Sequence, residues 1–281
     1  MTKAARSAPT LLLGILLLAS SALAAALPPH TPVPGGLAVL DLGPAEGMPP
    51  VARYQGRRLA VTKDAGRWYA LVGIPLTAKP GEHQVELSGG HRIAFRVQPK
   101  AYETQHITIK DKRKVNPYKK DLERIARERK RIQAALRHFR ETTALPLAFR
   151  MPVEGEISSP FGLRRYFNNQ PRKPHSGLDI AAPEGTPIRA PAAGVVLDEG
   201  DFFFNGNTVF IDHGQGLVTM YCHMSRIEVQ PGERVATGQV IGAVGSTGRV
   251  TGPHLHWGVS LNDARIDPRI LLQAGKIREA R

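Results

Sequence analysis

The 281-residue chain has one cysteine, Cys222, and so cannot close a disulfide on itself. Its stability must come from packed apolar cores, which a chain of this length can build as one large domain or two modest ones. No cysteine stands near the N-terminal leader, so a lipid-modified N-terminus is not expected. Acidic residues are few, 24 against 38 lysines and arginines, and the formal charge of +14 bears on partners and solubility rather than on fold. Aromatics make up only 6 %, whereas 28 glycines and 23 prolines favour short strands joined by turns. One apolar run stands out, residues 11–19, and it is shorter than the roughly 20 residues that span a bilayer.

That run follows Lys3 and Arg6 and precedes small residues at Ala22 and Ala24. A basic start, a short apolar core and an A-x-A site describe a secretory signal peptide over 1–26, with an uncleaved anchor as the competing reading. Export gives the charge its meaning. A basic protein of the periplasm or cell envelope, or one secreted beyond it, meets anionic envelope polymers, and nucleic acid is not expected as a partner. No membrane span is expected in the mature protein.

Behind the leader, residues 27–100 read as short alternating runs such as "LAVLDL", "RWYALVGIPL" and "HRIAFRVQ", separated by turn formers "KPGE" and "SGG". This spacing predicts a small immunoglobulin-like β-sandwich. Residues 101–146 form a basic linker with the one strong helical pattern, at 117–141. There Leu122, Ile125, Ile132, Leu136 and Phe139 recur as an apolar stripe, with Lys and Arg on the other faces. A solvated connector is expected, its basic surface available to an anionic wall. Residues 147–274 return to strand-and-turn phrases and predict a second, antiparallel β domain, and 275–281 form a basic tail. The expected fold class is therefore mainly β.

The second β domain carries the chemistry. In "RKPHSGLDIAAPEG", His175 and Asp179 are four apart and share a face of an extended chain, since side chains alternate with period two. In "GPHLHWGV", His254 and His256 are two apart and share a face, with Leu255 on the other. A catalytic zinc site uses three protein ligands and leaves a position for water. His175, Asp179 and one histidine of the pair supply three, and the remaining histidine then lies where a base is useful. His223, in "LVTMYCHMS", is expected on a strand with Tyr221 on its own face and Cys222 on the other, where the thiol is a small core residue.

Taken together, "HSGLDIAAPEGTPIRAPAAGVV", "GNTVFIDHG", "YCHMS", "GQVIGAVGSTG" and "GPHLHWGV" resemble, in order and spacing, the lysostaphin-type (LytM-like) zinc endopeptidases that act on peptidoglycan. The resemblance covers roughly 150–272. It implies a β metallopeptidase domain with a groove and one zinc ion per chain, held by His175, Asp179 and His256. It also implies His254 as general base for a zinc-activated water, and His223 as the histidine that steadies the tetrahedral intermediate. Arg164, in "SSPFGLRR", is a candidate for touching substrate or bracing the groove. The implied function is hydrolysis of peptide cross-links or stems of peptidoglycan in cell-wall remodelling, with other envelope proteins as further partners. The alternative, a non-catalytic LytM-type regulator that activates a separate cell-wall amidase, goes with lost ligands, and all five chemical positions are filled here. A lipoyl- or biotin-carrier domain needs a lysine on a hairpin, and none occurs between Lys173 and Lys276.

Overall fold

A computed structural model describes residues 27–272. The signal peptide expected at 1–26 and the tail at 275–281 lie outside the described residues. No described helix is long and apolar enough to cross a membrane.

The N-terminal region is a two-sheet sandwich. Leu37–Pro44, Arg67–Gly73 and Ala60–Asp64 form one sheet, with Arg67–Gly73 in the middle; Arg57–Arg58, Ala52–Tyr54, Gly81–Leu87 and Arg92–Val97 form the other, in that order. Period-two patterning drives it: along the last strand Phe95 and Val97 are buried, while Ala94 and Arg96 are exposed. Those inward residues join Tyr54, Val72, Ile74 and Val85 in a single apolar cluster. The hairpin from Asp64 to Arg67 turns on Ala65 and Gly66, whose φ values of 44° and 76° are the left-handed pair that a two-residue turn requires.

The C-terminal region is built on a ten-stranded, antiparallel sheet. Its central strands are Gly194–Phe202, Gly206–Gly214, Leu217–Ile227, His254–Leu261 and Leu178–Ala181, each paired with the next. Leu178, Ile180, Leu255, Trp257 and Val259 are fully buried on the inner face. Alternation therefore sends Asp179, His254 and His256 to the opposite face.

The segment expected as a free linker is tied down. Thr104–Ile107 pairs in parallel with Arg164–Phe167, so part of it is sheet. A one-turn helix, Lys112–Val115, is capped by Asp111, whose side chain accepts from the Arg113 N–H at 2.9 Å. The long helix, Lys119–Arg137, lies on the sheet: Ile132, Ala135 and Leu136 pack with Phe202, Phe210 and Met220. Arg131 also pairs with Asp198 at 2.6 Å and Arg124 with Asp201 at 3.0 Å. The expected apolar stripe is off by one residue at its start, since Leu122 is 52 % exposed. The buried line is Asp121, Glu128 and Ala135, spaced by seven, and Leu122 stands about 100° round the helix from it. The two acids are satisfied there, Asp121 by Arg113 and Glu128 by Arg124 and the Phe203 N–H.

Shared packing joins the β regions, with Leu37, Ala60 and Leu71 in one cluster with Trp257 and Leu261, and polar contacts add to it. The Asn262 amide donates to Gly73 O at 3.2 Å and accepts from the Gly73 N–H at 3.1 Å, and the Gln215 amide does the same with Val61 at 3.1 and 2.8 Å.

Candidate metal centre and groove

Strand pairing builds the cluster. Asp179 lies directly opposite His256, so the carboxylate and the imidazole leave the sheet side by side. His175 reaches them from the loop before Leu178–Ala181, not from the extended strand that its spacing suggested. Its Nδ1–H donates to Pro160 O at 2.8 Å, which turns Nε2 towards the cluster. Nε2 then lies 2.9 Å from Asp179 Oδ1 and 3.0 Å from His256 Nδ1, and those two are 2.7 Å apart. Gly177 allows the close approach: a Cβ there would stand 2.9 Å from the His256 ring and 2.5 Å from Trp257 O.

Burial alone would raise the Asp179 pKa, but the His175 and His256 rings packed against the carboxylate outweigh it and hold the carboxyl well below its usual range. Burial pushes His256 down to about 4, so its imidazole is neutral near pH 7. One carboxylate oxygen and two imidazole nitrogens thus face a common point. That donor set fits a divalent ion such as zinc.

Two further histidines stand beside it. The His254 Nδ1–H donates to Gly252 O at 2.9 Å and the His223 Nδ1–H to Thr247 O at 2.8 Å. A carbonyl can only accept, so both rings carry their proton on Nδ1 and keep a lone pair on Nε2. The ring centroids are 4.9 Å apart, and His254 Nε2 is 3.9 Å from Asp179 Oδ1. Burial first, then the neighbouring His254 and His256, depress His223 to about 3.

His223 departs from its expected side. Met224 pairs with Asn207 and Tyr221 with Val209, so this strand holds one residue more than its partner. The extra residue is a β-bulge, and His223 has the left-handed φ of 66°. Tyr221 stays in the core with its hydroxyl 2.8 Å from Thr219 Oγ1. Cys222 lies opposite His256 and therefore shares the cluster's face of the sheet, beneath the site and buried. Burial raises its thiol to about 12, so it is no thiolate ligand.

A crystal structure assigned to peptidase M23 from Pseudomonas aeruginosa is 49 % identical to this chain, covers 87 % of it and 96 % of its own length, and superposes with a TM-score of 0.74. This chain belongs to peptidase family M23. The family's own model matches residues 173–268, and that of its N-terminal domain matches residues 30–100. Among curated M23 relatives, the DD-carboxypeptidase/endopeptidase Mpg of Neisseria meningitidis is 46 % identical over 116 residues, 41 % of this chain and 27 % of that protein. The peptidoglycan DD-endopeptidase ShyC of Vibrio cholerae is 46 % identical over 123 residues, 40 % of this chain and 28 % of that one. The match thus spans little more than a quarter of either curated relative.

In this M23 chain the arginine that reaches the cluster is Arg165. Its guanidinium donates to Asp179 Oδ2 at 2.6 Å, leaving Oδ1 to the histidines. Arg164, the candidate from sequence, is exposed, and its backbone N–H goes to Glu103 O. The signal for the right residue was present, because Phe167 is the apolar end of "RRYF" and period two puts Arg165 on its face. Arg249 was missed as well; it stacks between Phe167 and Phe204, 4.6 Å from each ring. Two cavities of about 370 and 640 Å³ meet at the cluster and share Arg165, Phe167, His223 and Arg249. The long helix forms one wall of the larger.

Proposed function

We propose that this M23 peptidase is an exported, zinc-dependent endopeptidase that hydrolyses peptide cross-links or stems of bacterial peptidoglycan. The observation that carries the reading is the three-donor cluster flanked by two histidines with free Nε2 lone pairs, at the bottom of a basic groove. A positive groove suits a polymer whose peptides bear carboxylates. The leader at 1–26 supports export to the periplasm or envelope; the preferred target is a D-alanyl–diaminopimelate cross-link, and the names of the curated relatives support DD-endopeptidase action. Residues 147–274 would form the catalytic unit, with 27–100 as an accessory module and 101–146 as its strap.

Zinc held by His175, Asp179 and His256 would supply Lewis acidity, polarising the scissile carbonyl and acidifying water. His254 takes the attacking water's proton at Nε2, while the Gly252 carbonyl on Nδ1–H steadies the resulting imidazolium. His223 enters neutral; it can donate from Nε2 to the tetrahedral oxyanion only once a proton has reached it, and the developing negative charge favours that protonation. Arg165 keeps Asp179 oriented throughout.

Digestion of defined sacculi, followed by mass spectrometry of the released muropeptides, tests the reading. Cleaved cross-links that vanish with a chelator and return with zinc are the expected result. Full-length protein that binds no zinc and releases nothing, yet stimulates a separate amidase, would instead establish the regulatory alternative.

A further inference from the structure

The groove's arginines differ in how they are satisfied. Arg165 has the Asp179 carboxylate, Arg172 has Val115 O at 3.0 Å, and Arg249 has Lys114 O at 3.3 Å. Among the described residues, Arg265 has no oxygen partner. It belongs to the strand Ala264–Ile266, where it pairs with Ser260, and its side chain folds back over Gly258. The room is there because residue 258 is a glycine, whose absent Cβ would sit 2.8 Å from Arg265 Nη1. Nη1 is buried without any hydrogen-bond partner among the described residues, and Nη2 meets only Met220 Sδ at 3.5 Å. Sulfur is a weak acceptor.

The two nearest acids in sequence are already taken, since Asp263 pairs with Arg57 and Arg137 at 3.0 Å each and Asp267 with Arg269 at 2.6 Å. Burial without a carboxylate pulls the guanidinium down to about 10. A charge withdrawn from water and left unpaired is costly, and a stem packed on Met220 does not need one. The position has a use. Gly258 is two residues along the strand from His256 on the same face, roughly 7 Å away, and Arg265 and His256 line the same large cavity.

We propose that Arg265 is the carboxylate-binding residue of the groove: a free carboxylate of the stem peptide, beside the scissile amide, replaces Met220 Sδ as partner of the guanidinium. This rests on the endopeptidase reading for the identity of the ligand, and it makes Arg265 a specificity determinant. An amidated stem leaves the guanidinium unpaired and is bound less well.

The test is calorimetric binding to full-length, zinc-loaded protein carrying His254→Ala, so that nothing turns over. The probes are a synthetic D-alanyl–diaminopimelate peptide with a free carboxylate and the same peptide as its carboxamide. The carboxylate form should bind about tenfold or more tightly. Arg265→Met, which keeps an apolar stem, should bind both forms like the carboxamide, and Arg265→Lys should restore part of the preference. A preference that survives Arg265→Met, its absence from the His254→Ala protein, or an equal loss for both peptides overturns the assignment. Sacculus digestion by the unaltered protein reads the other question: muropeptide release with no Arg265-dependent preference removes this site alone. An Arg265-dependent preference without any release removes the endopeptidase reading and leaves the carboxylate site standing.

Discussion

Arg165 and Asp179 are joined at 2.6 Å through the carboxylate oxygen that the histidines leave free. One carboxylate thus serves two masters, a cationic brace on Oδ2 and the donor cluster on Oδ1. Arg165→Ala should therefore lower zinc affinity by roughly 10- to 100-fold without removing a ligand. Competition with a chromogenic chelator measures it; an unchanged affinity would show that Asp179 orients itself.

His254→Ala should bind zinc normally and lose about 10²- to 10⁴-fold in turnover, the usual worth of a positioned base. Metal analysis and muropeptide release on the same preparation separate the two effects. Full activity in that variant would assign the proton transfer elsewhere, with His223 the first candidate because its Nε2 is equally free.

Gly177→Ala pushes a methyl group into the His256 ring and Trp257 O. Overpacking of this kind costs about 1–3 kcal/mol, and here the strain falls on a ligand. Lower stability in urea together with weakened zinc binding is expected. A variant that loses stability but keeps full zinc affinity would show that the backbone absorbs the methyl without moving His256.

Acid should destabilise the catalytic domain through a residue outside the cluster. His213 is buried, with its ring nitrogens 2.9 Å from Ala193 O and 2.8 Å from Thr219 Oγ1, and burial lowers it from 6.5 to about 4. Above pH 6.5 both folded and unfolded chains carry it neutral, so it has no effect there. As pH falls from 6.5 to 4 the unfolded chain takes up the proton first, and about 3 kcal/mol of stability is lost. Urea unfolding across that window should show the decline, and His213→Gln should flatten it. An equal slope in the variant would place the acid sensitivity in other groups.

Much of the site could be read from local pattern. Leu255 between two histidines and Leu178 before Asp179 announce which side chains turn inwards, and the sheet obeys them. Where the reading failed, the cause was non-local. "YCH" has no glycine to advertise a left-handed residue, so the bulge that carries His223 to the cluster appears only when its strand is laid against Gly206–Gly214. The helix stripe departs at Leu122 alone, because Asp121 and Glu128 are buried against partners far along the chain or across a turn, which apolar periodicity does not register.

The sequence by itself determined the donor types, the period-two alternation and the turns, because these are properties of a few consecutive residues and their dihedral freedom. Only the tertiary structure decided that the Arg165 face of its strand meets Asp179, and that Arg265 finds no oxygen among the described residues. Those outcomes depend on which strands become neighbours, and a charge has no partner until the packed chain brings one within hydrogen-bonding reach.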